Sequence, residues 1–380
     1  MLSISNITKN VIPYINLNDS IVFSRHTYLL LKNFFNHIRK SDTEKINIIK
    51  YNYPVENIED LELPNKSKYF PEEIIQDIKE RCNYVYKYIV PILDYKFNIT
   101  FICYNKNEKI NKYVKLIVIW IKLVLHLSNS ICPKELSIKI YLTNKKKCLP
   151  NKNNILSPIN INSAYTYGGC HEYNEIIIYR KEEWFKVLLH ECIHAFGFDY
   201  SFINNVNINK NIKSIFPINS EIHSYESYCE TWAIIMNSIF HAYLSEPIYL
   251  SQFINKFREI YTYECLFSYI QMNKVLSHMH LSFTDLYSKD KISVYKRNKF
   301  YKEETNVFAY FVLKLIYMQN LNIFFDFCFK NNNIFKFNIK NIQSYVKIID
   351  NNFKNIPFQH DNIEYSGIKK SLRFSIFDLE

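Results

Sequence analysis

Residues 184–199, W-F-K-V-L-L-H-E-C-I-H-A-F-G-F-D, constrain this chain more than any other stretch. His190 and His194 stand four apart, one helical turn, so a helix here turns both imidazoles to one face. Glu191 lies about 100° round the same helix, beside that face. Two neutral imidazoles and a nearby carboxylate are what a catalytic zinc site needs. His190 and His194 would be ligands, and Glu191 would take a proton from water at the metal. In a chain with 11 histidines, chance supplies only about 0.02 such matches. Leu188, Leu189, Cys192, Ile193, Ala195 and Phe196 are all uncharged, as in a helix buried behind its metal face. Gly197 suits a left-handed helix stop. The alternative for the same residues is a buried amphipathic helix whose histidines bond core carbonyls.

At 380 residues, 48% apolar and 22% charged, the chain reads as a globular protein with a large core. Its net charge of +11 is diffuse, with one short cluster at Lys145-Lys146-Lys147, so nucleic acid is not an expected partner. Nine cysteines without a C-x-x-C pair argue against a disulfide framework and for a reducing compartment. The start, M-L-S-I-S-N-I-T-K-N, lacks a basic stretch followed by an apolar core, so no signal peptide is expected. The longest apolar stretch, residues 113–127, carries Lys115 and Lys122 and is too short for a bilayer. These features predict a soluble, intracellular protein without a membrane span.

Residues 21–40 read as a helix and residues 41–68, with Pro54 and Pro64, as a mostly irregular connection. Pro71 opens a helical pattern that runs on through residue 89. Phe97, Ile99, Phe101 and Cys103 alternate as a strand, residues 108–128 form a helix, and Leu136 to Leu142 alternate as a second strand. Residues 157–167, ending at Gly168-Gly169, fit a third, exposed strand. Residues 174–180 form a buried fourth, whose end feeds Lys181-Glu182-Glu183-Trp184, a first helical turn with acids at its positive end.

The order helix, strand, helix, strand, strand, strand, motif helix resembles the N-terminal half of a zincin catalytic domain over residues 95–242. That resemblance implies an α+β fold with a mixed sheet, a backing helix and an active-site helix, and a third strand bordering the cleft. Asn162, Ser163, Ala164 and Tyr165 would then form an open edge for an extended peptide substrate.

Two histidines leave a catalytic zinc one protein ligand short. The metzincin spacing falls on Tyr200, a poor ligand, and Asp199 is one residue out of register, better suited to the helix end or to orienting a ligand. Residues 221–241 carry Glu226 and Glu230 on one stripe of a nearly apolar helix, where a solvated surface face is the alternative. Their E-x-x-x-E spacing resembles gluzincins and lethal-factor-like toxins. The resemblance makes Glu226 the third ligand and Glu230 the residue steadying a zinc-bound histidine. Asp199 and His223 are the other candidates, and His223 could instead polarise a substrate carbonyl. The composition, rich in Lys, Asn, Ile, Tyr and Phe, is that of an AT-rich genome and resembles zincins of large DNA viruses.

Residues 246–380 look mainly helical, with long amphipathic segments at 249–279 and 302–318, and Asn331-Asn332-Asn333 marks a loop. His278 and His280, two apart on a helix, read as structural. The expected organisation is an extension (1–65), a zincin-like catalytic domain (66–243) and a helical lobe (244–380). The expected activity is zinc-dependent peptide hydrolysis with one Zn²⁺ per chain. The alternative is a zincin-fold protein whose metal serves structure or partner binding.

Overall fold

The computed structural model describes residues 21–379 except 65–68, 108, 129, 205, 331–332 and 355–367. The expected absence of a leader and most of the Asn331-Asn332-Asn333 loop lie outside the described residues. Helix α1, Arg25–Thr43, begins at Ser24, whose hydroxyl accepts the Thr27 N–H at 3.1 Å. Strand β1, Ile49–Pro54, follows within the segment expected to be irregular. It is an edge strand exposed almost throughout, so its sequence carries no alternation to read.

Helix α2, Glu72–Arg81, stops well short of the expected end, and β2, Tyr84–Ile92, takes over. The sequence Y-V-Y-K-Y-I-V suits a strand because aromatic and β-branched side chains pack well on a pleated surface. Tyr86, Tyr88 and Val90 join the main core, while Val85 faces the opposite side. A two-residue turn at Leu93-Asp94 leads into β3, Tyr95–Cys103. Helix α3, Ile110–Leu127, and strand β4, Glu135–Tyr141, match the expected elements.

Residues 157–167 divide between one helical turn, Pro158–Ile161, and a short strand β5, Ala164–Thr166. Strand β6, Tyr173–Ile178, completes a mixed six-stranded sheet in the order β1-β2-β3-β4-β6-β5. β3, β4 and β6 run parallel, and β5 pairs antiparallel with β6 at the far edge.

The motif helix α4, Trp184–Ala195, buries all twelve of its residues. On one sheet face, Phe97, Ile99, Ile138, Ile140, Ile176 and Ile178 share a single core with α3 and α4. On the other face, α2 packs Ile74, Ile75 and Ile78 against Val85, Ile102 and Ile177. The remaining elements are α5 (Val206–Ile215), α6 (Ser224–Tyr243), α7 (Leu250–His278), α8 (Lys291–Phe300), a π-helical turn at Phe308–Leu313 running into α9 (Lys314–Gln319), α10 (Leu321–Phe329) and α11 (Ile342–Asn352). The chain is thus α+β with a helical C-terminal part. The segment expected as one helix over 302–318 begins only near residue 308. Among the described residues no single helix is long and apolar enough to cross a membrane; one pair bent by 88°, Phe308–Gln319 with Leu321–Phe329, passes by length and composition together.

Two features at the ends of α4 differ from expectation. Glu183 is no dipole partner within the first turn; it caps the helix in a left-handed conformation, φ 58°. Its buried carboxylate pairs with Lys147 and accepts the N–H groups of Phe374 and Ser375. Asp378 in turn accepts the Glu183 N–H at 3.1 Å, and the Leu379 carbonyl accepts the Trp184 indole N–H at 3.1 Å. The C-terminal segment therefore anchors the start of the motif helix.

At the other end, Cys132 and Cys170 form a disulfide across 38 residues, where no disulfide framework and a reducing compartment were expected. Only the fold brings these two loops together, which is why no spacing signature betrays them. Seven other cysteines are free. Gly197 lies beside the bridge at φ +68°, where a Cβ would meet Cys132 Sγ at 2.6 Å. Glycine is required there both for the backbone conformation and for space.

Candidate metal centre

Helix α4 presents His190 and His194 to α6, which crosses it and carries Glu226 and Glu230. His190 Nε2 and His194 Nε2 are 3.2 Å apart, and Glu226 Oε2 lies 3.2 Å from the first and 3.4 Å from the second. These three side chains form a donor group that could hold a metal ion.

The other ring nitrogens assign the protons. His194 Nδ1 lies 2.5 Å from Asp199 Oδ2, and His190 Nδ1 lies 2.9 Å from Glu230 Oε2, though at an angle that departs from a straight hydrogen bond. Carboxylates facing both Nδ1 atoms place the proton there on each neutral ring, leaving both Nε2 atoms with lone pairs. Two lone pairs and a carboxylate oxygen then face one another within 3.4 Å. They repel unless a proton or a metal cation stands among them.

The electrostatics show that the buried carboxylates favour positive charge at this point. Burial alone would lower the pKa of His190, yet Glu226 and Glu230 raise it. Burial opposes protonation of His194 as well, but Cys229, Asp199 and Glu226 lift it well above the usual value. Glu226 would be raised by burial, and the two imidazoles instead hold it far below the ordinary carboxylate range. Glu191 is different: burial pushes its carboxyl up, and the neighbouring imidazoles only partly offset this.

A second donor group, His194, Asp199 and Cys229, overlaps the first. Its His194 atom is the Nδ1 already bonded to Asp199. Burial raises the Cys229 thiol and keeps it protonated, a poor ligand.

Two residues escaped the sequence reading. Lys186, one turn before His190 on α4, is buried and pairs with Glu230 at 2.6 Å. Together Lys186 and His190 hold Glu230 far below its usual pKa, although burial alone would raise it. A lone lysine in an otherwise apolar helix face was the available signal. Tyr310, from the π-helical turn, donates its hydroxyl to Glu226 Oε2 at 3.0 Å. Nothing local in the sequence marked it, although π-helical turns recur at functional sites.

The donor group forms the floor of a cleft of about 570 Å³, bounded by β5 on one side and by Tyr225, Thr305 and Tyr310 on the other. His223 lines this cleft, partly exposed, outside the donor group. His278 and His280 contact Asn154 and Asn153 and are not part of the cleft wall.

The Tyr179 N–H donates to the Ser163 carbonyl at 2.9 Å, so residues 163 and 179 form a hydrogen-bonded pair. By alternation, Ala164 opposite Ile178 and Thr166 opposite Ile176 sit at non-hydrogen-bonded positions. Their main-chain groups turn toward the free edge. Asn162 precedes the strand, and its side chain accepts the Thr305 hydroxyl at 2.8 Å. Ser163 and Tyr165 point to the opposite sheet face from Ala164.

Compared with protein-family models, curated proteins and solved structures, the chain matches none.

Proposed function

We propose that this chain is a zinc-dependent metallopeptidase of zincin type, gluzincin-like in its ligand set. The donor triangle carries the reading. Zinc bonds of about 2.0–2.1 Å at the tetrahedral angle separate their donors by about 3.3–3.4 Å, and the three observed separations are 3.2, 3.2 and 3.4 Å. His190, His194 and Glu226 would hold the ion. Asp199 and Glu230 orient the two imidazoles from behind, and Tyr310 steadies Glu226. Zinc in this position supplies Lewis acidity toward a carbonyl and makes water acidic enough to ionise near neutral pH.

Glu191 does the proton work. It takes a proton from the attacking water and passes it to the nitrogen of the leaving amine. Its burial raises its pKa, which suits a group that must hold a proton between those two transfers. A donor set built only for structure has no need of a further carboxylate in the wall of the same cleft, as Glu191 is, which favours catalysis over a metal clamp.

The test is metal analysis of the purified protein together with a peptide-library digest, with and without chelator. One zinc per chain and chelator-sensitive cleavage are expected. An active protein that contains no metal and ignores chelators would end this reading.

Substrate backbone is expected to pair with β5. Proline at Ala164 removes an N–H that faces the free edge and breaks no bond to β6. Ala164→Pro should therefore raise KM roughly three- to tenfold, the worth of one hydrogen bond, with zinc content and circular dichroism unchanged. An unaltered KM in that folded, zinc-loaded protein would move the substrate to another wall.

A further inference from the structure

A second, much smaller pocket of about 30 Å³ adjoins the cleft and shares Asn162, Ala164, His190, Glu191 and Tyr310 with it. Lys186, Val187 and Phe374 are among the side chains that close it. A volume of this size has room for one or two water-sized groups. Its walls have little freedom to yield. Val187 and Lys186 belong to the fully buried motif helix, and Lys186 is fixed by its ion pair with Glu230. Phe374 donates its backbone N–H to Glu183 at 2.9 Å, and its ring lies beneath the ammonium groups of Lys147, Lys186 and Lys314 at 4.2, 4.5 and 5.4 Å. Displacing the ring means breaking three cation–π contacts.

The pocket lies on one flank of the donor triangle. His190 and Glu191 are among its walls, and His194 and Glu226 are not. In the metallopeptidase reading, on which this inference rests, Glu191 returns its proton to the leaving nitrogen. That nitrogen therefore lies on the Glu191 flank, and the side chain of the residue that carries it meets this pocket. We propose that the pocket is a specificity subsite that restricts the residue immediately after the scissile bond to glycine, alanine or serine. A methyl or hydroxymethyl group fits the space. A leucine or phenylalanine side chain does not fit without moving Val187 or Phe374.

The experiment uses the zinc-loaded full chain and a set of peptides built on one cleavable sequence from the library digest. They differ only in the residue after the scissile bond: Gly, Ala, Ser, Leu or Phe. One surplus or missing methylene in a pocket is worth about 10–200-fold in discrimination, so kcat/KM should fall at least tenfold from Ala to Leu. Dissociation constants for the same peptides on Glu191→Gln protein should follow the same order without any turnover. Val187→Ala, which widens the wall, should narrow the Ala-to-Leu gap severalfold. Cleavage before Leu or Phe as fast as before Ala would overturn the subsite while leaving the metallopeptidase reading standing. No cleavage of any peptide by metal-loaded protein would overturn both.

Discussion

Glu191→Gln should retain one zinc per chain and lose about 10²–10⁴-fold in kcat, the range that a positioned general base contributes. The substitution keeps the shape of the side chain and touches none of the three converging donor atoms. Its neighbours therefore have no reason to move. His190→Ala should behave differently, losing metal and hydrolysis together, because it removes one corner of the triangle. The measurements are zinc stoichiometry by elemental analysis and single-turnover cleavage of one peptide. Wild-type rates in the Glu191→Gln protein would remove this carboxylate from the chemistry altogether.

The two glutamates of α6 should separate just as cleanly, by different quantities. Glu226→Ala deletes a donor that faces both Nε2 atoms, so zinc affinity should fall by more than the roughly 10–100-fold typical of an orienting residue. Glu230→Ala removes the partner of Lys186, whose side chain is 2% exposed, and leaves that charge unpaired in the core. Breaking a buried pair from one side costs about 3–5 kcal/mol, so this variant should show its main loss in unfolding by denaturant. Its zinc affinity should drop by about 10–100-fold as His190 loses its orienting carboxylate. Competitive titration with a chromophoric chelator reads the affinities. The opposite ranking would transfer the ligand role to Glu230, and negligible effects from both would move it to another residue, with Asp199 and His223 next in line.

Much of the site was legible because helical spacing is local. His190 and His194 share a face, and Glu191 stands beside it, whatever the rest of the chain does, because a helix advances about 100° per residue. The same periodicity placed Glu226 and Glu230 on one stripe of α6. Alternation likewise exposed β3 and β4, and an apolar run of strand length exposed β6, each with a side facing a large core. β2 was misread because Ile74, Ile78, Cys82, Val85 and Ile89 happen to keep helical spacing across the point where the helix stops. Pairing with β1 and β3 over its whole length outweighs that weak local preference.

The sequence by itself determined which residues the candidate site is built from: two imidazoles and a carboxylate at fixed angles on one buried helix, and two glutamates a turn apart on another. Only the tertiary structure decided how the second helix meets the first. That crossing sets Glu226 against the Nε2 atoms, Glu230 against His190 Nδ1 and Lys186, and Tyr310 over Glu226. It also decided that Asp199 turns back to His194, that Cys132 meets Cys170, and that the C-terminal segment caps the motif helix. Spacing within a helix follows from 1.5 Å of rise per residue and needs no partner. Contacts between residues 38 or 195 apart exist only once a shared core has fixed the elements that carry them.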